Sequence, residues 1–125
     1  MVKTQFIHEP DSLGLGYFSL IYDIGSSNEI PGNRGIPHFM EHLMCKTFDD
    51  MRSYLRRIGI DYNACTSDNK IIFYFYGLNE SLDLVTQELY ERLTNSSNLW
   101  TEEAFNNEKK VIIQEYKDCF SWQWM

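Results

Sequence analysis

Two histidines and a glutamate stand close together in the segment His38-Phe39-Met40-Glu41-His42. Residues four apart lie one turn apart on a helix, so His38 and His42 project from one face and can bind the same metal ion. Glu41 lies beside them, where a carboxylate can take a proton from a metal-bound water without itself being a ligand. The spacing H-x-x-E-H therefore predicts a zinc hydrolase centre with Glu41 as the general base.

A catalytic zinc ion usually has three protein ligands and one open position, so a third ligand must come from elsewhere in the chain. The segment EKKVIIQE places Glu108 and Glu115 seven residues apart, which is two turns along one face of a helix. Either residue is a candidate by spacing alone, and a solvated acidic face would explain the pair equally well. His8, near the N-terminus, is a further candidate.

The elements that must position these residues follow from hydrophobic periodicity and from turn signals. We expect the motif to lie on a helix that starts at Ile36, with Pro37 in its first turn. Gly59 is expected to end the helix after it, Asn79 to cap the next, and Thr101 to cap the last. The predicted strands lie at 15–24, 62–66 and 70–77, with a short extended segment near 4–8, and the other helices lie at 49–58, over about fifteen residues from Asn79, and at 101–118.

This order predicts an α+β fold, a largely antiparallel sheet with helices on one face. Each of the last two helices has an apolar stripe that is expected to face the core. The first stripe consists of Leu82, Val85, Leu89 and Leu93, and the second of Phe105, Ile112, Tyr116 and Cys119.

Length and composition predict one domain, residues 1–125, with enough apolar residues for a packed core. The 18 acidic residues against 11 basic ones give a net charge of −7, which argues against a nucleic-acid partner. The aromatic run at 73–76 could stack on nucleic-acid bases, but alternation in a central strand explains it more simply as part of the core.

No apolar stretch approaches the ~20 residues of a membrane span, and three cysteines without a C-x-x-C pair fit a reducing compartment. We expect a cytoplasmic protein with no signal peptide and no membrane association.

Three segments in order, GIPHFMEHLMCK, DYNACTSDNKIIFYF and EKKVIIQEYKD, resemble landmarks of the pitrilysin, or insulinase, family of zinc metallopeptidases, which includes mitochondrial processing peptidases. The resemblance extends from about residue 16 to residue 118. It implies that zinc is the cofactor, held by His38, His42 and Glu115, and that Glu41 activates water. Glu108 is then implied to orient a ligand or hold a proton.

The same resemblance implies a role for the strand that contains Asn63, Ala64, Cys65 and Thr66. In family members the matching strand is an edge to which the peptide substrate adds as a further strand, a mode that any exposed edge permits. An ordinary edge strand packed within the domain is the alternative. Cys65 and Cys45 would lie near such a site, which predicts activity that is sensitive to thiol modification.

The predicted function is a zinc-dependent endopeptidase that acts on a peptide or protein substrate. Family members are longer and enclose a chamber between paired domains, so we expect a shortened form that self-associates or pairs with a partner subunit, or else acts as a minimal protease on an exposed, flexible peptide. A catalytically weak or inactive peptide-binding subunit that keeps the metal site is the alternative. A purely structural zinc module would need a fourth ligand such as Cys45 or Cys65.

Overall fold

The structure is a computed structural model that describes residues 13–96 and 100–121. The described chain contains seven helices and strands in the order β-α-α-β-β-α-α, which confirms the predicted α+β class. They are β1 (Leu15–Tyr22), α1 (Ile36–Cys45), α2 (Arg52–Arg57), β2 (Asp61–Thr66), β3 (Ile71–Leu78), α3 (Asn79–Thr94) and α4 (Glu102–Ser121). Short 3-10 turns lie at Ser26–Asn28 and Lys46–Phe48. His8 and the extended segment predicted near it lie outside the described residues.

The three strands form one antiparallel sheet in the order β1-β3-β2, so β3 is central and β2 lies at one edge of the described sheet. Phe75 of β3 is paired with Phe18 on one side and with Tyr62 on the other. The centroid of its ring lies 5.9 Å from the ring centroid of Phe18 and 5.5 Å from that of Tyr62. Such cross-strand aromatic pairs stabilise the sheet and fix its register.

The two faces of the sheet differ sharply, as the alternation along β3 requires. Phe73 and Phe75 are each 1% exposed and pack under the helices, whereas Tyr74 and Tyr76 lie on the opposite face. The core therefore lies between one face of the sheet and the helices, as predicted. Its buried members outside β3 are Met44, Phe48, Met51, Leu55, Ile60, Leu82, Val85, Leu89 and Leu93.

Several helix boundaries depend on caps that the sequence indicated. Gly59 follows α2 with a positive φ of 78°, which glycine adopts without strain, and the N–H of Ala104 donates to Thr101 Oγ1 at 3.1 Å. Asn79, by contrast, is the first helical residue of α3 and not its cap, because the extended Leu78 takes that position. α2 begins at Arg52 and not at residue 49, since the 3-10 turn after α1 occupies the chain before it.

The apolar stripe of α3 is buried as predicted, but that of α4 is not. Phe105 is 46% exposed, Tyr116 is 66% exposed and Cys119 is exposed. α4 packs chiefly against α1, where the ring centroids of Phe105 and Phe39 lie 4.7 Å apart. None of the described helices is long and apolar enough to cross a membrane.

Candidate metal centre

Two features fix the position of helix α1 and of its histidines: the contacts at its N-terminus and the burial of its inner face. Gly35 precedes the helix with a φ of 88°, and its N–H donates to Glu29 Oε1 at 2.7 Å. Pro37 occupies the first turn, where a missing N–H costs nothing. Leu43 and Met44 are each 4% exposed and anchor the inner face in the core. The opposite face then carries the motif histidines.

Three candidate ligand atoms form a small triangle between α1 and α4. His38 Nε2 lies 3.0 Å from His42 Nε2, and Glu115 Oε2 lies 3.7 Å and 3.4 Å from these two nitrogens. Ligand atoms about 2.0–2.2 Å from a tetrahedral zinc ion lie roughly 3.3–3.6 Å from one another, so the triangle has about the size that one zinc ion requires. The His38 and Glu115 side chains are 42% and 46% exposed, which keeps the outer side of the triangle open to solvent.

Glu41 lies on the inner side of this triangle. It is only 9% exposed, and one of its carboxylate oxygens lies within 4.8 Å of a ring nitrogen of each motif histidine. Its Oε2 accepts a hydrogen bond from the hydroxyl of Thr66, the last residue of β2. A buried carboxylate beside a metal site is suited to general-base chemistry.

Glu108 lies two turns before Glu115 on α4 and contacts Nδ1, the other ring nitrogen of His42. Its Oε1 lies 2.8 Å from His42 Nδ1, and its Oε2 lies 3.2 Å from Lys46 Nζ. Burial opposes ionisation of Glu108, but the hydrogen bonds from His42 and Lys46 outweigh it and hold the pKa of this carboxyl below its usual value. An ionised Glu108 accepts the Nδ1 proton, which leaves the lone pair of His42 on Nε2, inside the triangle.

A cavity of about 210 Å³ connects this centre with the edge strand β2. Asn63 and Ala64 line it on the strand side, and the Ala64 N–H donates to Asn63 Oδ1 at 2.9 Å. Glu41, His42, Cys45, Lys46, Asp49, Arg52 and Glu108 complete the lining. A larger cavity, of about 350 Å³, lies in the loop before α1 and contains none of the candidate ligands.

The two cysteines near the site differ in environment. Cys45 lines the cavity, and burial, with smaller contributions from the nearby Glu41 and Asp49 carboxylates, raises the pKa of its thiol to about 12. Cys65 is exposed and, by strand alternation, lies on the opposite face of β2 from Ala64 and Thr66. Among the described residues, no cysteine belongs to the group formed by His38, Glu41 and His42.

Comparison with known proteins assigns the chain to a family. The model of the insulinase family, peptidase family M16, matches residues 16–123. This chain is a member of peptidase family M16. The predicted resemblance is thereby confirmed over most of the sequence.

Individual relatives of this M16 chain are zinc proteases and processing peptidases. It is 32% identical over 102 residues to an uncharacterized zinc protease of Rickettsia bellii, covering 78% of this chain and 24% of that protein. It is 30% identical over 122 residues to the mitochondrial-processing peptidase subunit beta of Saccharomyces cerevisiae, covering 94% and 25%. The M16 chain thus spans about a quarter of the length of these relatives, and the family together with the name zinc protease implies zinc as the cofactor.

The fold is also found in a solved structure. The crystal structure of a protease from Helicobacter pylori matches with a TM-score of 0.71 and 28% identity, over 82% of this chain and 25% of that one. This likeness agrees with the three-stranded antiparallel sheet and its covering helices.

Most of the residues predicted from sequence lie together in this M16 chain, but Cys65 does not line the cavity and His8 lies outside the described residues. The motif residues, Glu108 and Glu115 meet between α1 and α4, and Asn63 and Ala64 line the adjoining cavity. Two contacts were not anticipated: Lys46 pairs with Glu108, and the Thr66 hydroxyl binds Glu41. The helical spacing of Lys46 four residues after His42 was a signal for the first, whereas the second joins residues that only the tertiary fold brings together.

Proposed function

We propose that this chain is a zinc-dependent endopeptidase in which His38, His42 and Glu115 hold the metal ion and Glu41 is the general base. The observation that carries the proposal is the triangle of two imidazole nitrogens and one carboxylate oxygen, with sides of 3.0–3.7 Å, beside a buried glutamate. Two histidines and one carboxylate are a common ligand set of catalytic zinc.

The proposed chemistry divides between the metal ion and the side chains. Zinc, when bound, supplies a Lewis acid that lowers the pKa of a water molecule and polarises the scissile carbonyl. Glu41 accepts the proton of that water and later donates it to the amine nitrogen that leaves. Glu108 accepts the His42 Nδ1 proton and so keeps the imidazole in the tautomer that binds metal.

The proposed substrate is an extended peptide that adds to the edge of β2 along Asn63, Ala64, Cys65 and Thr66. Supporting this is the position of β2 at the edge of the described sheet, next to a cavity that Glu41 and His42 also line. Strand addition gives affinity through main-chain hydrogen bonds and leaves specificity to alternate side chains.

The proposal is tested by pairing zinc analysis with cleavage of a quenched fluorescent peptide. Glu41→Gln is expected to keep zinc and to lose at least about 100-fold in kcat, since general-base catalysis contributes roughly 10²–10⁴-fold. His42→Ala and Glu115→Gln are expected to lose zinc. The matched control is Glu103→Gln, which changes an exposed carboxylate on α4 and should leave both measurements unchanged.

Two outcomes would contradict the proposal. Full activity of Glu41→Gln would exclude the general base. Intact zinc binding without turnover of any peptide by the wild-type chain would favour the alternative, a binding subunit that keeps the metal site.

We further propose that the active form is a homo-oligomer or a complex with a partner subunit. The support is that one relative, 30% identical to this chain, is named as the beta subunit of a processing peptidase. Sedimentation of the zinc-loaded chain should reveal an assembly. A strict monomer that cleaves peptides efficiently would overturn this part of the proposal.

A further inference from the structure

The contact between Thr66 and Glu41 joins two elements that are far apart in sequence. Thr66 ends β2, and its hydroxyl donates to Oε2 of Glu41 on α1, 25 residues earlier. Thr66 is half-buried and Glu41 is 9% exposed, so little water competes for this carboxylate. Among the described residues, the Thr66 hydroxyl is the hydrogen-bond donor that reaches Glu41.

The backbone directly after Thr66 is held by two hydrogen bonds of Ser67. The Ser67 N–H donates to the carbonyl of Lys70 at 2.8 Å, which closes the β2–β3 hairpin. The Ser67 carbonyl accepts from the Ser26 N–H at 3.1 Å, in the loop before α1. The hydroxyl is therefore presented from a fixed point of the sheet, while the carboxylate extends from the longer side chain of Glu41 on α1.

We propose that Thr66 is a positioning residue for Glu41. Its hydroxyl holds one carboxylate oxygen and so sets the plane of the group, which leaves the second oxygen to exchange the proton with water. A general base must lie within hydrogen-bond reach of the proton it takes, and small displacements of catalytic groups lower rates strongly. The inference rests on the proposed function, and it assigns Thr66 a role through Glu41 in place of direct contact with the peptide.

The kinetic test compares two substitutions of Thr66. Thr66→Val keeps the shape and removes the hydroxyl, so kcat is expected to fall about tenfold with KM and zinc content within twofold of the wild type. Thr66→Ser restores the hydroxyl and should bring kcat back to within about threefold. The matched control is Thr86→Val on α3, where a half-buried hydroxyl that donates to the Leu82 carbonyl is lost away from the site.

A second measurement needs no activity and uses the metal-free chain. Urea unfolding of Thr66→Val, Glu41→Ala and the double variant forms a double-mutant cycle. A hydrogen bond to a charged carboxylate predicts coupling of about tenfold or more in the unfolding equilibrium constant. Thr86→Val combined with Glu41→Ala should show no coupling, because those residues share no partner.

The outcomes separate this inference from the proposed function. Zero coupling in the cycle, or a rise in KM at constant kcat in Thr66→Val, would overturn the positioning role. Coupling in the metal-free chain together with a wild type that cleaves no peptide would support the Thr66–Glu41 contact while the endopeptidase proposal fails.

Discussion

His42 Nδ1 lies 2.8 Å from Oε1 of Glu108, a residue that is 4% exposed at the interface of α1 and α4. Lys46 Nζ lies 3.2 Å from the second oxygen of the same carboxylate. Glu108 therefore links a histidine of the candidate metal centre to Lys46, the first residue after α1. A carboxylate in this position orients the imidazole and makes it more basic, both of which favour metal binding.

The first prediction concerns this carboxylate. Glu108→Gln removes the negative charge that accepts the His42 proton and leaves Lys46 without its buried partner. Zinc affinity is expected to fall about 10–100-fold, the usual cost of losing such a group. Competition with a chromophoric chelator at pH 7 measures it, with Glu103→Gln as the exposed control on the same helix. Unchanged zinc affinity in Glu108→Gln would refute the orienting role.

Removal of zinc is expected to loosen α4 without unfolding the chain. α4 packs chiefly against α1, and the proposed metal would tie the two helices together through Glu115. The core formed by β3 and α3, with Phe73 and Leu89 each at most 1% exposed, lies elsewhere and does not need the metal. Hydrogen exchange after treatment with EDTA should show faster exchange in α4 and unchanged protection in β3.

Circular dichroism and thermal melting complete this test. The far-ultraviolet spectrum should persist without zinc. The metal at 100 times its Kd should stabilise the fold by about 2.7 kcal/mol. Global unfolding on chelation would instead identify a structural zinc module.

The cysteines are expected to react at very different rates. The pKa of Cys45 is raised to about 12, mainly by burial, so its thiol stays protonated and unreactive at pH 8. Cys65 and Cys119 are exposed. Titration with a thiol reagent should therefore show two fast groups and one slow group, and the double variant Cys65→Ser/Cys119→Ser should show only the slow one. Rapid modification of Cys45 in the folded chain would contradict this.

Local patterns predicted the fold and the motif because both depend on short-range periodicity. The spacing of His38, Glu41 and His42 places them on one helix face wherever that helix packs. The alternation in β3 likewise fixed which aromatic residues are buried, since successive strand residues face opposite sides.

These local patterns could not predict contacts between residues that are far apart in the sequence. Glu108 and Glu115 share one face of α4, so spacing could not say which would approach His42 Nε2 and which Nδ1; only the packing of α4 on α1 distinguishes them. The prediction that the apolar stripe of α4 faces the core was wrong for the same reason. Periodicity identifies an apolar face without identifying what covers it.

An ion pair between the turn after α1 and helix α3 makes stability depend on pH. Arg92 Nη1 and Nη2 lie 2.7 Å and 3.1 Å from the two oxygens of Asp50, and this hydrogen bonding lowers the pKa of Asp50. The contribution is therefore present above the unfolded pKa of about 3.9 and is lost as pH falls through the lower folded value.

Asp50→Asn should lower the free energy of unfolding by only about 0.5–1 kcal/mol at pH 7, because the Asp50 side chain is 68% exposed and screened by solvent. The difference from wild type should be constant from pH 7 to 5 and should disappear as pH falls through the lowered folded pKa of Asp50. Asp83→Asn, an exposed change on α3, is the control. A difference that grows on acidification would show that the pair has the opposite linkage.

The last prediction separates substrate binding from catalysis. Asn63 is exposed on the edge strand β2 and lines the cavity that adjoins His42, so its side chain is available to a bound peptide. Asn63→Ala is expected to raise KM about three- to tenfold, the cost of one neutral hydrogen bond, with zinc content and kcat nearly unchanged. Asn106→Ala, on the exposed surface of α4, should change none of the three. Because Thr66→Val is expected to act on kcat and Asn63→Ala on KM, the two variants assign different roles to residues three positions apart on one strand. Equal effects of both variants on KM would mean that the whole strand serves only to bind the peptide.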